Sequence, residues 1–198
     1  MPYPPLADRP LCFIDCETTG LDPKEHEIIE FAMVRSLRDL DSLRERGVSF
    51  DGWLPTSKSD WLHWSTKVRP QHIENAQPEA LEVNGYQEAE WTDAPFFEDV
   101  APRIAELLWG CLLVGHNVGF DRNFLFHAFR RIGMDDVNLP HNCIDTISLA
   151  YVRLVPCGLE SLSFDRIREF LGWEIRKPHT AVADVQDCKR LFDRLVQK

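Results

Sequence analysis

The stretch Leu11 to Leu21, LCFIDCETTGL, constrains the fold more than any other part of the chain. An apolar run (Leu11, Cys12, Phe13, Ile14) leads into Asp15-Cys16-Glu17 and then into the turn Thr18-Thr19-Gly20. A short apolar run closed by a turn reads as a strand that needs a core. Alternate residues of a strand share a face, so Asp15 and Glu17 project together at its end. Two carboxylates held side by side raise each other's pKa unless a cation lies between them. A hard ion such as magnesium or manganese would satisfy the pair. The plainer alternative, an acidic and solvated strand end, stays open on this stretch alone.

At 198 residues, 44% hydrophobic and 27% charged, the chain is expected to form a single domain over residues 1–198 with a Pro-rich arm at 1–10. Its longest apolar stretch, Leu107 to Val114, is interrupted by Gly110 and is too short for a membrane span. The N-terminus lacks the basic-then-apolar pattern of a secretory signal. Cysteines stand at 12, 16, 111, 143, 157 and 188 with no C-x-x-C pair, which suits reduced thiols in a cytoplasmic protein better than disulfides or zinc. A net charge of −10 argues against nucleic acid as a partner unless bound cations mediate the contact. Local basic groups are Arg122, Arg130 and Arg131; Arg166 and Arg168; Arg176 and Lys177.

Along the chain, Ile28 to Leu37 reads as a second strand, with Ile29, Phe31, Met33 and Arg35 on one face. Asp39 to Arg46 reads as a polar loop or hairpin, Gly47 to Leu54 as a third strand, and Pro55 to Thr66 as irregular. Trp53, Trp61 and Trp64 are expected to cap or pack against the core rather than stack on bases. Pro78 to Gly85 has proline at the start and glycine at the end of a short helix. Phe96, Phe97, Val100, Ile104, Leu107 and Leu108 recur at helical spacing around Pro102. Leu112 to Val114 is a buried strand, and GHNVG is its exit turn before a helix over Phe120 to Ile132. A strand at Asn142 to Ile144 leads into a helix ending near Val155. Two further helices are expected, one capped by Ser161 and ending at Gly172, the other over Ala181 to Val196. Strands first, then helices alternating with strands, define an α/β fold with a mixed central sheet flanked by helices.

Acidic residues gather at the ends of these elements. Asp121 opens a helix just past a strand, where an acid could equally serve the helix dipole. His179 precedes Asp184 by five residues at the start of the last helix, and Asp187 one turn on reads as solvated. Carboxylates and a histidine from separate segments fit a two-metal phosphodiester hydrolase, with the histidine as general base.

The segments FIDCETTGLD, GHNVGFDRNFL and HTAVADVQD resemble, in order, the three motifs of the DEDDh exonuclease family. That family includes the proofreading epsilon subunit of DNA polymerase III, ribonuclease T and oligoribonuclease. The resemblance implies a ribonuclease H-like fold and 3′–5′ hydrolysis of single-stranded nucleic acid, DNA in preference to RNA, to nucleoside monophosphates. It assigns Asp15, Glu17, Asp121 and Asp184 to two divalent cations, Mg2+ or Mn2+, and His179 to the general base. PEALEVNG resembles the segment that contacts the terminal nucleotide, which suggests substrate roles for Glu79 and Asn84; epsilon-like sequences often carry His at the latter position. Thr18, Thr19, His116 and Asn117 match further substrate-side positions, and Asp145-Thr146 a structural strand-end pair. The partners implied are a 3′ end of single-stranded nucleic acid and, beyond it, a polymerase or a second copy of the chain. The competing possibility is a non-catalytic module that binds nucleic acid or a polymerase on the same fold. The segment from Asp51 to Val68 is longer and richer in tryptophan than the epsilon-like pattern.

Overall fold

A computed structural model of the chain describes residues 4–45, 47, 60–175, 177 and 179–197. In chain order the elements are β1 (Leu11–Thr18), β2 (Ile28–Ser36), α1 (Leu40–Glu45), β3 (Trp61–Lys67), α2 (Pro78–Asn84), α3 (Glu88–Trp91), α4 (Phe97–Leu108), β4 (Leu112–Gly115), α5 (Val118–Arg131), β5 (Cys143–Asp145), α6 (Thr146–Leu154), α7 (Phe164–Phe170) and α8 (Ala181–Val196). The sheet has the order β3-β2-β1-β4-β5. β1 pairs antiparallel with β2 (Cys12 opposite Arg35, Ile14 opposite Met33) and parallel with β4 (Phe13 opposite Val114). β3 is antiparallel to β2, and β5 is parallel to β4. The mixed sheet flanked by helices is the fold expected from the sequence.

The alternation of β1 divides the core. Cys12, Ile14 and Cys16 join Phe31, Ile104 and Phe124 beneath α4 and α5. Phe13 points the other way and packs with Val114, Val185 and Cys188 under α8. Asp15 and Glu17 share Phe13's parity, so the strand delivers both carboxylates to the side of the sheet that α8 covers. Because β1 and β4 are parallel, the carboxyl end of β1, the exit turn of β4 and the start of α5 come together, as ligand sites of α/β sheets do.

Several elements differ from expectation. Residues 39–45 include the helix α1 rather than a plain loop, with Leu43 1% exposed. Six helical positions hold too few apolar residues to show a period. The strand expected at 47–54 falls, apart from Gly47, outside the described residues, as do Trp53 and Arg176. The third strand lies instead at Trp61–Lys67, where Leu62 and Trp64 are buried between exposed His63 and Ser65. Trp64 packs on Phe31 and Trp61 on Phe13, so both tryptophans serve the core. α7 starts at Phe164 with Ser163, not Ser161, at its N-cap. Gly119 lies inside α5 rather than in the preceding turn. All six cysteines are free. Among the described residues, no helix is long and apolar enough to cross a membrane.

Candidate active site

Carboxylate oxygens of Asp15 and Glu17 from β1 and Asp184 from α8 lie within 4.8 Å of one another. Asp184 reaches this point because α8 begins under the end of β1, its N-terminus fixed by the Thr180 hydroxyl, which accepts from Ala183 N at 3.3 Å. Asp121, in the first turn of α5, is 4% exposed, and its Oδ1 accepts from Cys16 N at 2.9 Å, tying α5 to β1 between the two acidic strand residues.

Asp15, Glu17 and Asp121 carry the electrostatics of buried, mutually repelling carboxylates. Burial, then the charges of Asp121, Asp184, Glu17 and Glu30, hold Asp15 well above the usual carboxylate range. Burial and then Asp184 and Glu30 push Glu17 up from the ordinary 4.5 to about 7, against a lowering contribution from His179. Burial pushes Asp121 to about 8 despite the Cys16 amide. Oxygen donors of this density, buried and mutually repelling, are what a hard divalent cation requires. The residues therefore fit a hard divalent cation.

His179 stands at the rim. Its Nδ1 lies 2.9 Å from Asp184 Oδ2, its Nε2 is 3.7 Å from Asp165 Oδ2, and its backbone N–H donates to Val83 O at 3.1 Å. Behind Asp184 sits Arg168, whose side chain is 0% exposed. It donates to Asp184 at 2.5 Å and to Asp165 and Asp187 at 3.0 Å each. Two expectations are corrected here: Asp187 is buried and ion-paired rather than solvated, and Arg168 is an internal cation rather than part of a surface basic cluster. Burial alone would lower the Arg168 pKa, but the facing carboxylates, Asp184 first, raise it, so the guanidinium stays charged.

A groove of about 310 Å³ opens beside Glu17, between β1, α2 and α5. Glu79, Thr18 and Asn84 line it together with Leu21, Val83 and Phe120. Glu79 is exposed and available. Asn84 is buried, donating from Nδ2 to Thr18 O at 3.1 Å and accepting from Tyr86 N at 3.2 Å, so it latches α2 to β1. The Thr18 hydroxyl donates to Gly20 O at 2.7 Å. Thr19 is 0% exposed, and its hydroxyl accepts from Glu27 N at 2.9 Å. The side chain of Thr19 thus holds the turn. Gly20 is obligatory there, since a Cβ would lie 2.4 Å from the His26 ring.

His116 also turns inward. Its Nδ1 is 3.0 Å from Thr146 Oγ1, its Nε2 is 3.0 Å from Leu162 O, and its ring stacks on Phe164 at 4.4 Å. With both nitrogens engaged inside the protein, it ties the β4 exit to Thr146 and to Leu162. Asn117 is exposed at the N-cap of α5 in the left-handed conformation, φ 69°. Asp145 accepts from the backbone N–H groups of Asn117, Val118 and Ile147, the structural part expected of it.

Sequence reasoning missed Glu30, which lies opposite Glu17 on β2 and accepts from the Ala181 N–H at the head of α8. Its place on the same β2 face as Ile28 and Ala32 was the available signal. Arg168 was missed as a site residue because its partners Asp184 and Asp187 are 16 and 19 residues away. No local pattern marks such a pairing.

Comparison with known proteins agrees with this geometry. Residues 12–192 match the exonuclease family RNase_T, and the chain belongs to it. The chain is 29% identical over 189 residues to the 3′-5′ exonuclease DinG of Bacillus subtilis, covering 93% of this chain and 17% of that protein. It is 26% identical over 193 residues to the DNA polymerase III subunit epsilon of Aquifex aeolicus, covering 98% of this chain and 83% of that one. It spans only 11 to 12% of PolC-type DNA polymerase III relatives. The fold superposes on E. coli exonuclease I in complex with a dT13 oligonucleotide with a TM-score of 0.67 at 20% identity, over 94% of this chain and 43% of that one. The architecture is the ribonuclease H-like fold of these exonucleases.

Proposed function

We propose that the chain is a divalent-metal-dependent 3′–5′ exonuclease acting on single-stranded nucleic acid, DNA in preference to RNA. The observation that carries this reading is the convergence of Asp15, Glu17 and Asp184 within 4.8 Å, from motifs far apart in sequence, beside a groove open to solvent. Asp15, Glu17, Asp184 and Asp121 would hold the cations. When bound, such ions lower the pKa of water and stabilise charge on the attacking and leaving oxygens of a phosphodiester.

The chain's own groups supply the rest. Asp184 Oδ2 lies 2.9 Å from His179 Nδ1 and orients the ring, and Nε2, 3.7 Å from Asp165 Oδ2, is the nitrogen that would accept the proton of the attacking water. The apolar wall of Leu21, Val83 and Phe120 offers surface for a terminal base and sugar, with Leu21 72% exposed in the absence of a ligand. Glu79 and Asn117 stand at the groove margin and the α5 N-cap as polar contacts for that nucleotide. The DNA preference draws support from the relatives, which are named for DNA polymerase III and for an oligo-dT complex. The relative named as a subunit of DNA polymerase III also suggests a polymerase as partner.

The test is a purified protein given Mg2+ or Mn2+ and a 5′-labelled single-stranded oligonucleotide, with matched DNA and RNA. A ladder shortening from the 3′ end is expected, abolished by Asp15→Ala and by His179→Ala. Binding without shortening would replace this reading with that of a non-catalytic nucleic-acid module.

A further inference from the structure

Arg168 has no exposed side-chain surface and so cannot touch a substrate, yet it is bonded directly to Asp184. Taking a guanidinium out of water is costly unless its donors are met. Here Nη1 meets Asp165 Oδ1, Nε meets Asp187 Oδ2 and Nη2 meets Asp184 Oδ1, while the Phe164 ring lies 4.1 Å below the guanidinium carbon. One carboxylate would balance the charge. The other two grip the planar fork from the sides, so that its remaining edge meets Asp184 in a single orientation. The second oxygen of Asp184 is the one that faces His179 Nδ1 at 2.9 Å.

We propose that Arg168 is a positioning residue of this site: clamped by Asp165 and Asp187, it fixes the plane of the Asp184 carboxylate toward Asp15 and Glu17 and, through Asp184, the orientation of His179. The inference rests on the nuclease reading of Asp184 and His179. It implies that the cluster is set in its working geometry before any cation arrives, which is how supporting residues around a metal ligand act.

The test compares wild type, Arg168→Lys and Asp187→Asn as full chains. Lysine keeps the charge but has no fork to meet three carboxylates; asparagine keeps an acceptor for Nε. Readouts are Mn2+ affinity by calorimetry, which does not depend on turnover, and kcat and KM on a single-stranded oligonucleotide. Arg168→Lys should lower kcat by about tenfold or more, with KM within about twofold, and weaken Mn2+ binding severalfold. Asp187→Asn should show a smaller loss of the same kind. A folded Arg168→Lys protein with wild-type kcat and Mn2+ affinity would overturn the proposal, as would a loss confined to KM. Should Arg168→Lys fail to fold, an Asp187→Asn protein unchanged in both readouts overturns it instead. A wild type that binds Mn2+ but cuts nothing refutes the nuclease reading alone, and the Mn2+ titrations still decide the clamp. A wild type that binds no Mn2+ refutes both.

Discussion

Asp121 shows how function and stability oppose each other at a single residue. Its carboxylate is buried, its pKa is pushed up to about 8 by burial, and the groups that bond it, the Cys16 N–H and thiol and its own N–H, ask only for an oxygen acceptor. Asparagine supplies that oxygen without charge. Asp121→Asn should therefore leave the melting temperature of the metal-free protein unchanged or higher, while nuclease activity falls on the order of 100-fold through loss of a cation ligand. A thermal melt and a nuclease assay on the same preparation check it; a destabilised but active variant would contradict it. At this scale the sequence was informative where a residue's partner is local and silent where it is distant. Asp15 and Glu17 are legible as a pair because strand geometry alone puts them on one face. The hydrogen-bond partners of Thr19 and His116, Glu27 and Leu162, lie across turns whose path no spacing rule gives.

Among the elements, α2 depends least on its own propensity, being seven residues long with only Asn84 buried. It is held from outside: Gln77 N donates to Thr19 O at 2.7 Å, Asn84 Nδ2 to Thr18 O, and His179 N to Val83 O. Through these bonds the helix connects the end of β1 to the histidine, and it forms one wall of the groove. Asn84→Ala removes the latch and leaves Thr18 O without its amide donor, a loss of about 1–3 kcal/mol. The expected kinetic result is a KM for oligonucleotide raised more than kcat is lowered, since the cation ligands stay in place. Equal loss in kcat at saturating substrate would mean that α2 orders the catalytic groups themselves. Elements with a sustained apolar period, α4, α5 and α8, were legible to within a residue or two of their ends. β3 was obscured because only Leu62 and Trp64 carry its buried alternation, and its tryptophans by composition also suit a loop packed against a core.

For the whole molecule, the consequence of the site is an unusual coupling of stability to pH. Glu17 titrates at about 7 in the folded chain against an ordinary 4.5, Asp121 at about 8 against 3.8, and Asp15 is raised as well. Raised carboxylate pKa values mean that the folded state holds protons the unfolded state has already released. The stability they contribute is fully present below the unfolded values and is lost as pH rises through the folded ones. The net charge of −10 acts in the same direction, through general repulsion that salt screens. In the absence of divalent ions, the melting temperature should therefore fall from about pH 5 to about pH 8. Mg2+ or Mn2+ replaces the protons that hold the cluster together, so it should raise the melting temperature by an increment that grows with pH over the same range. Melting curves with and without saturating Mn2+ across that range are sufficient to decide. A metal-free protein equally stable at both ends would show that the cluster is compensated from within the chain, Arg168 being the cation placed to do it. A metal increment that does not grow with pH would show that the ions bind without displacing protons from Asp15, Glu17 and Asp121, and would contradict this coupling.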